Sequence, residues 1–564
     1  MNLDISKIPF SRFGSYFAIS YDDKDNELYI RDLHGGDESP SKLFRLELTE
    51  AGAPQKFSLK VDETKLSLYH IEDKEKYIEI CIPKYDIIRI VSKNCGIRFS
   101  MVKNKYDNVM LYDKNKLEFH SYSKEIKLML SLIKGTVKLD APWDMIGNTH
   151  VIMDFNCDDC NEVDMALESY KTVWKPKEYM CFLESQELVK NEYKQWKDKV
   201  LEVPEEYKSS RDLASYITWS SVVKPEGMLK RPAMYMSKNW MYNIWSWDNC
   251  FNAMALSKNN PELALDQLMI FIDHQDESGV FADFINDRYL SFSCCKPPIY
   301  GWAFRYMKEQ NEYFKKPEIL DTVYNAIKLN TEYWLKYRRY NEEELPFYKH
   351  GNDSGWDNSS IFHKGIPVQA PDLSAFLVKQ MYILSEIAEE LNKKSEAENW
   401  ISEGDKLLEK LIKDLWKDNR FTAIKVDTKE YLNEGNSLIL MMPIVLGDKL
   451  PKHIKEELLK ELKIEGKYLS KYGLATEAMD SKYYKENGYW LGPIWAPVMM
   501  LIIDSLKECG EGEFAGELAK RFCNATLIGG MAENFDPIDG KGLVDPAFTW
   551  TSSVFLMLAN KYLI

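Results

Sequence analysis

The 564-residue sequence lacks the long apolar runs that would place a protein across a membrane or send it for export. No run reaches the roughly 18 apolar residues of a membrane-spanning helix. The first ten residues contain no apolar stretch of the length that a signal peptide needs. The sequence therefore predicts a cytoplasmic protein without a membrane partner.

The ten cysteines lack the dense, regular spacing of a disulfide framework. Cys157 and Cys160 have the spacing of half a zinc ribbon, but no second pair follows at the required distance, and the adjacent Cys294 and Cys295 lie too far along the chain. We therefore expect free thiols, no metal and no other cofactor. Six cysteines have apolar neighbours and are predicted to be core residues: Cys81, Cys95, Cys181, Cys250, Cys509 and Cys523.

An excess of basic residues is also absent, because 73 Lys and Arg stand against 88 Asp and Glu, which gives a formal charge of −15. A nucleic-acid backbone or an anionic membrane surface would require a basic face, so neither is expected as a partner. With 45% hydrophobic and 29% charged residues, the chain has enough apolar material for a folded core. The aromatic content of 13% is high, and exposed aromatic rings suit the flat, partly apolar faces of sugars.

The N-terminal part of the sequence, up to about residue 176, consists of short extended runs. Residues 43–48, 77–82 and 116–122 alternate apolar and polar side chains, and turn-forming residues separate the runs. This pattern predicts an antiparallel β-sandwich domain over residues 1–183. After it the period changes: Val189, Tyr193 and Trp196 fall at helical spacing, which predicts a linker helix within residues 184–204.

The remaining chain, residues 205–564, has the apolar spacing of helices. Residues 371–391 are one example, with a Pro-Asp start, and residues 317–337 and 451–462 begin the same way. About twelve helical segments are expected, which suggests antiparallel hairpins closed into a toroid of inner and outer helices. An open solenoid is the alternative, but the segments show no fixed-period self-similarity of the kind that repeats require.

Several connections between these helices are rich in Trp, Gly, Asp and Asn. They lie at residues 243–249, 350–359, 488–495 and 533–537. Binding and chemistry concentrate in loops on a rigid scaffold. An indole can stack on the apolar face of a sugar while carboxylates and amides bind its hydroxyl groups, so these loops indicate a carbohydrate ligand. Each single Trp has the alternative interpretation of a core anchor.

Cleavage of a glycosidic bond needs two carboxyl groups, and these loops offer candidates. Asp357 follows Trp356, whose indole would desolvate the carboxyl group and raise its pKa towards that of a general acid. Glu533 lies before Asn534, and Asp248 follows Trp247. Asp353 and Asp536 are further candidates that also fit helix caps or turns. Asp536, Asp539 and Asp545 have an oxygen-rich spacing that suits calcium, but we interpret them as turn residues in preference to calcium ligands.

Together, the motifs resemble glycoside hydrolase family 63, and they occur in the same order over about residues 230–560. This family contains processing and bacterial α-glucosidases and mannosylglycerate or glucosylglycerate hydrolases, and it is related to the trehalases. The strings that carry the resemblance are WSWDNCFNA (245–253), KPP (296–298), DSGWDNS (353–359), YWLGPIW (489–495), ENFDP (533–537) and FTWTS (548–552).

The resemblance implies an (α/α)6 barrel that hydrolyses an α-glycosidic bond with inversion, as an α-glucosidase-like enzyme of carbohydrate metabolism. It places the general acid on Asp357 and the general base on Glu533. Inversion requires the two carboxyl groups to lie about 6.5 to 9.5 Å apart, against about 5 Å in a retaining enzyme. The residues expected to bind substrate are Trp247, Asp248, Lys296, Asp353, Trp356, Trp490, Trp495 and Trp550.

Two positions depart from the family pattern. Lys296 stands where relatives commonly carry Gln, and Leu491 stands where they often carry Arg. Lys296 can favour an anionic leaving group or pair with a nearby carboxylate. Other hypotheses also remain open: an α-L-rhamnosidase or a phosphorylase on the same barrel, or a helical toroid that binds carbohydrate or protein without catalysis.

Overall fold

The computed structural model describes residues 2–564 as an N-terminal β part and a C-terminal helical part. The strands of the β part are β1 Phe17–Asp22, β2 Glu27–Asp32, β3 Lys42–Glu50, β4 Ala53–Pro54, β5 Phe57–Val61, β6 Leu66–His70, β7 Tyr77–Lys84, β8 Ile87–Lys93, β9 Gly96–Met101, β10 Asn108–Asp113, β11 Lys116–Ser121, β12 Ile126–Lys134, β13 Thr136–Asp140, β14 Trp143–Asp144, β15 Gly147–Asn148, β16 Ile152–Asn156 and β17 Glu162–Tyr170.

These strands form two antiparallel sheets and a small hairpin. The first sheet has the order β1-β2-β3-β9-β16-β13, with β4 beside β3, and the second has the order β10-β11-β12-β17-β8-β7-β6-β5. Burial alternates along strands such as β9, β11 and β16, and the ring of Phe44 in the first sheet meets that of Phe119 in the second at 4.8 Å. The β-sandwich that the alternating runs predict is confirmed.

The helices, in chain order, begin with one that joins the two parts. They are α1 Phe182–Lys197, α2 Lys208–Ser221, α3 Ser246–Leu256, α4 Pro261–Ile272, α5 Tyr300–Gln310, α6 Pro317–Tyr337, α7 Gly351–Ser354, α8 Pro371–Glu390, α9 Lys394–Leu415, α10 Lys452–Leu462, α11 Ala496–Glu508, α12 Gly512–Gly529 and α13 Thr549–Tyr562. Short 3₁₀ segments lie at Glu205–Tyr207, Glu312–Lys315, Ser360–Phe362 and Leu438–Lys449.

The helical contacts close on themselves in an inner and an outer layer. Helix α3 contacts α5, α5 contacts α8, α8 contacts the 3₁₀ segment Leu438–Lys449, that segment contacts α11, α11 contacts α13, and α13 contacts α3. The remaining long helices α2, α4, α6, α9, α10 and α12 pack outside them. The connection from each outer helix to the next inner segment lies at the N-terminal end of that inner segment. These connections therefore gather at one end of the inner layer.

Helix α1 lies between the β part and the helical part. Its buried side chains include Val189, Tyr193 and Trp196, and the helix contacts β7, β8 and α2. The spacing of these three residues predicts a helix here, and the observed helix ends at Lys197, so residues 198–204 of the predicted range 184–204 are not helical. The thiol of Cys181 is exposed at the start of α1, so the prediction of a core position is wrong there, because the chain is still at the surface where the helix begins.

Short strand pairs hold the connections of the helical part. Their strands are Val222–Val223, Ala233–Met234, Ile244–Trp245, Phe284–Ile285, Leu290–Ser291, Val368–Gln369, Trp416–Lys417, Arg420–Phe421, Ala423–Lys425, Glu430–Leu432, Leu469–Ser470, Gly473–Leu474, Ile494–Trp495, Asn534–Phe535 and Gly542–Leu543. In residues 2–564, no helix is both long and apolar enough to cross a membrane.

Candidate active site

Two three-stranded sheets bring the motif segments together at the N-terminal ends of the inner helices. In the first, Ile244–Trp245 pairs with Phe284–Ile285, which pairs with Leu290–Ser291. In the second, Ile494–Trp495 pairs with Asn534–Phe535, which pairs with Gly542–Leu543. The first sheet places Asp283 beside the start of α3, and the second places Glu533 beside the segment of residues 489–495.

Asp248 lies in the first turn of α3 and is buried. A helix N-terminus favours a negative charge, but desolvation dominates here. Burial raises the pKa of Asp248 to about 8, and the charges of Asp283 and Asp357 act in the same direction while Lys296 opposes them. Asp248 therefore keeps its proton around neutral pH and can donate a hydrogen bond as well as accept one.

Asp357 is half-buried in the connection that follows α7. Burial raises the pKa of its carboxyl group, as the sequence predicts, and the neighbouring Lys296 and His350 oppose that rise. The next residue, Asn358, fixes this connection, because its Oδ1 accepts from the Trp490 amide at 2.9 Å and its Nδ2 donates to the Gly488 carbonyl at 3.0 Å. Asp357 is thereby held beside residues 488–490.

Glu533 is 2% exposed and has an asymmetric environment. The Tyr489 hydroxyl donates to its Oε1 at 3.3 Å, whereas Oε2 has no hydrogen-bond partner within residues 2–564. Burial raises the pKa of Glu533 to about 8, and the charges of Asp545 and Asp248 add to this rise. Two hydrogen bonds fix the Glu533 backbone. The Glu533 amide donates to the Asp545 carbonyl at 2.7 Å, and the Trp550 indole donates to the Glu533 carbonyl at 3.2 Å.

Lys296 is the cation among these carboxyl groups. Its Nζ lies 3.1 Å from Asp283 Oδ1 and donates to the Asn352 carbonyl at 2.8 Å. Burial disfavours its charge, but Asp283, Asp357 and Asp248 outweigh burial and raise the pKa of Lys296. The sequence leaves two interpretations of Lys296 open, an anionic leaving group or a nearby carboxylate. In the structure a carboxylate, that of Asp283, pairs with Lys296.

The predicted tryptophans form one continuous cluster. The rings of Trp490 and Trp495 stack at 3.9 Å, and Trp356 lies 5.0 Å from Trp490. Trp247 is 6.2 Å from Trp490 and 6.0 Å from Trp550. All five rings are nearly fully buried, so they pack against one another as well as lying beside the carboxyl groups.

Gly355 is required at the edge of this cluster. Its φ is +72°, and a Cβ at this position would come within 2.5 Å of the Trp247 ring. Only glycine fits both the left-handed backbone and the close approach of the indole. The Gly between Ser354 and Trp356 thus lets the Asp357 connection lie directly against the start of α3.

Asp353 differs from the other predicted site residues because protein donors occupy both of its oxygens. Oδ2 accepts from the Arg338 guanidinium at 2.8 Å and from the backbone amides of Lys349 and His350, and Oδ1 accepts from the Cys295 amide at 3.1 Å. The carboxylate is buried and belongs to the capping of α7. This is the cap and turn arrangement that the sequence offers as its alternative role.

The other acidic and thiol candidates have local partners. Asp536, Asp539 and Asp545 accept backbone amides of Ile538, Lys541 and Ala547, which is the turn interpretation. Cys157 Sγ donates to the Cys95 carbonyl at 3.2 Å, and Cys160 is exposed. Within residues 2–564 no cluster of three or more His, Cys, Asp or Glu side chains could hold a metal ion.

A loop of the β-sandwich, residues 34–40, reaches the same end of the helical part. The carboxyl group of Asp37 accepts from the Asn243 side chain, and that of Glu38 accepts from the Tyr289 hydroxyl. The Gly35 amide donates to Asp287 Oδ1 at 2.8 Å. The loop therefore packs beside the first three-stranded sheet.

Two residues of this site were not predicted from the sequence. Tyr489 belongs to a quoted motif, but its hydroxyl contacts Glu533 across two connections, and its backbone has a φ of +63° that no local pattern indicates. Asp283 lies outside every motif, and its approach to Lys296 follows from the pairing of Phe284 with Ser291, which turns the chain back towards Asp283. The aromatic-acidic composition could have drawn attention to Tyr489, whereas no local signal distinguishes Asp283.

Comparison with protein-family models gives one match. A family described as the mannosylglycerate hydrolase MGH1-like glycoside hydrolase domain matches residues 241–551. This range contains every residue of the site described above except the β-sandwich loop.

Curated relatives match over shorter stretches. Mannosylglycerate hydrolase MGH2 of Selaginella moellendorffii is 28% identical over 85 residues, which cover 15% of this chain and 17% of the relative. A probable mannosyl-oligosaccharide glucosidase of Schizosaccharomyces pombe is 25% identical over 242 residues, which cover 38% of this chain and 30% of the relative. The aligned stretches thus span less than a third of either relative.

Solved structures share the fold at low sequence identity. The GH63 mannosylglycerate hydrolase from Thermus thermophilus in complex with glucose has a TM-score of 0.55 and 16% identity, and the match covers 62% of this chain and 99% of that one. A bacterial glucoamylase complexed with acarbose has a TM-score of 0.63 and 10% identity, and the match covers 99% of this chain and 95% of that one. The second match includes both the β-sandwich and the helical part.

Proposed function

The chain belongs to the MGH1-like glycoside hydrolase family of glycoside hydrolase family 63, and from this membership we propose that it cleaves an α-glycosidic bond with inversion, as an enzyme of α-glucosidase type. The substrate is a small oligosaccharide or glycoside. The closed order of six inner and six outer segments supports an (α/α)6 barrel for the helical part. The ten free thiols fit the cytoplasmic location expected from the sequence.

The observation that carries the proposal is the convergence of three buried or half-buried carboxyl groups from separate segments of the chain. Asp248 comes from the first turn of α3, and Asp357 and Glu533 come from the connections before α8 and α13. Their charges act on one another or on the shared neighbour Tyr489. Burying several carboxyl groups near one another costs desolvation free energy and raises their pKa values. Such raised pKa values cluster at functional sites.

In the proposed mechanism Asp357 is the general acid and Glu533 the general base. Asp357 gives its proton to the glycosidic oxygen as the bond to the anomeric carbon breaks. Glu533 removes a proton from a water molecule that attacks this carbon from the opposite face, so the configuration inverts. The unpartnered Oε2 of Glu533 supports this role, because a general base needs one lone pair free for the water.

The remaining residues would bind the sugar. Asp248 would hydrogen-bond hydroxyl groups of the sugar being cleaved, and Trp247, Trp356, Trp490, Trp495 and Trp550 would enclose it. Lys296 would orient Asp357 through its charge. We assign Asp353 a structural role, since its oxygens already accept from four protein donors.

A substrate panel tests the proposal. The purified protein is incubated with α-linked gluco-, manno- and rhamno-disaccharides, with and without phosphate, and the anomer of the released sugar is followed by NMR. Release of the β-anomer from an α-glucoside is the expected result. Release of the α-anomer would identify a retaining enzyme, and cleavage that needs phosphate would identify a phosphorylase.

Two variants test the residue roles. Asp357→Asn and Glu533→Gln should each lower kcat by about 10² to 10⁴-fold, the contribution of general acid or base catalysis, while the circular dichroism spectrum is unchanged. Asp539→Asn is the matched control in the same connection as Glu533, because asparagine retains the oxygen that accepts the Lys541 amide. Full activity of either catalytic variant would refute its assignment, and activity of Glu533→Gln that depends on phosphate would favour the phosphorylase.

A further inference from the structure

We propose that the pairing of Lys296 with Asp283 makes this site select an uncharged leaving group, such as a sugar or another polyol, over an anionic one such as glycerate. The inference rests on the proposed function, because it concerns the group released from the glycosidic bond. It makes Asp283, which no motif includes, a specificity-determining residue.

The position of Lys296 connects it to the leaving group. A general acid delivers its proton to the glycosidic oxygen, so the groups around Asp357 also border the leaving group. Lys296 is the principal cation that acts on Asp357, and it acts on Asp248 and Asp283 as well. A carboxylate on the leaving group would therefore have to be neutralised by Lys296.

Lys296 is already neutralised. Its Nζ lies 3.1 Å from Asp283 Oδ1, with both side chains about nine-tenths buried, and it also donates to the Asn352 carbonyl. An ammonium has three N–H donors, and the Asn352 carbonyl takes one of them. One donor can serve a hydroxyl group, but an ion pair with a ligand carboxylate would have to displace Asp283.

The other basic side chains beside the site have protein partners as well. Arg338 is paired with Asp353 at 2.8 Å, and His350 uses Nδ1 to accept the Asn352 amide at 3.1 Å. The β-sandwich loop adds acidic groups at this end of the helical part, because Asp37 and Glu38 rest on Asn243 and Tyr289. A ligand carboxylate would lose its hydration without gaining a cation, which is costly in a buried site.

A pair of substrates that differ only in charge tests the inference. The α-hexosides of glycerol and of glycerate have nearly the same size, and the hexose is the one that the substrate panel identifies. The wild-type protein should cleave the glycerol glycoside with a kcat/KM at least about tenfold higher than that for the glycerate glycoside. This factor is the cost of one modest charge interaction that the site leaves uncompensated. The ratio should fall as salt is added, because ions screen the charge of the glycerate.

Two variants should affect this ratio differently. Asp283→Asn releases the charge of Lys296 and should improve the glycerate substrate relative to the glycerol substrate by about tenfold. Lys296→Gln removes the cation and should leave the glycerate substrate at least as disfavoured as in the wild type. A ratio of two substrates cancels any common loss of catalysis, so a variant with a weakened general acid still gives an answer.

Asp504→Asn is the matched control. It breaks a similar pair, because Asp504 Oδ1 lies 2.8 Å from Lys561 Nζ, but this pair lines a separate cavity of about 280 Å³ towards the C-terminal ends of the inner helices. Its substrate ratio should equal that of the wild type.

The outcomes separate the two proposals. A wild-type preference for the glycerate substrate, or a ratio unchanged by Asp283→Asn, would overturn the inference and leave the glycosidase intact. Failure to cleave any α-glycoside of the panel would instead refute the proposed function. A ratio that shifts equally in Asp504→Asn would show that the pair at Asp283 has no specific role.

Discussion

The hydroxyl group of Tyr489 donates to Oε1 of Glu533 at 3.3 Å, while Oε2 of the same carboxyl group has no partner within residues 2–564. One oxygen is thus fixed and the other is free. The donated hydrogen bond favours the ionised form of Glu533, opposing the burial that raises its pKa. Glu533 is therefore a base whose pKa is raised by burial and whose orientation is fixed by Tyr489.

Tyr489→Phe tests this relationship. Without the hydroxyl donor the ionised form of Glu533 loses stabilisation, so its pKa should rise further and kcat/KM should fall by about tenfold, as expected for one hydrogen bond to a charged group. The measurement is the pH dependence of kcat/KM, whose alkaline limb should move to higher pH. Tyr483→Phe removes a hydroxyl that donates to Glu434 at 2.9 Å in an exposed pair, and it should change neither value.

The wild-type pH profile should be bell-shaped. Glu533 acts as a base only after it has lost its proton, and Asp357 acts as an acid only while it keeps one, so the productive form is the minor one at neutral pH. Activity should decline below the pKa of Asp357, which burial raises above the ordinary Asp value of 3.8, and above about pH 8, where Asp248 and Glu533 titrate. The two apparent values belong to the coupled carboxyl groups together. A profile that is flat from pH 6 to pH 9 would contradict the environment described for these groups.

Most of the fold follows from the sequence because alternation and helical spacing are local properties. The predicted helix of residues 317–337 is observed as Pro317–Tyr337, and that of residues 371–391 as Pro371–Glu390. The inner segment Leu438–Lys449 is different, since Pro443 interrupts an apolar run and Gly447 has a non-helical backbone. No 3.6-residue period marks it, and its place is decided by packing against α8 and α11.

The site shows the same division. Motifs that carry Asp248, Asp357 and Glu533 are recognisable along the chain, because each is a dense local string. The partners that set their charge are brought near by tertiary contacts: Asp283 reaches Lys296 across a strand pair, and the Asn358 side chain joins two connections. Such contacts join separate segments of the chain and leave no pattern in either segment.

Glu533→Gln should make the protein more stable at alkaline pH. A folded-state pKa of about 8, above the ordinary 4.5, means that the folded protein keeps a proton that the unfolded chain releases. Wild-type stability should therefore decrease as the pH rises from about 4.5 to about 8. The variant escapes this loss, so its advantage in free energy of unfolding should grow through this window to several kcal/mol.

The stability measurement is urea denaturation at pH 4.5, 6, 7.5 and 9. The exposed Glu486 provides the control, since Glu486→Gln should give a small difference that is the same at every pH. An advantage of Glu533→Gln that is constant with pH would mean that the carboxyl group is not desolvated in the folded protein.

Gly355→Ala should destabilise the protein through two separable effects. The φ of +72° costs an L-residue about 1 kcal/mol, and the new Cβ would meet the Trp247 ring at 2.5 Å, which adds about 1–3 kcal/mol of overpacking. Gly510→Ala isolates the first effect, because its φ is +78° and no atom lies within 4 Å of the added Cβ. Denaturation of both variants gives the cost of displacing Trp247 as the difference between their free energies of unfolding.

Because Trp247 directly precedes Asp248, Gly355→Ala should also lower kcat/KM, whereas Gly510→Ala should not. Equal losses of stability and activity in both variants would show that the Trp247 ring and Gly355 are not in contact.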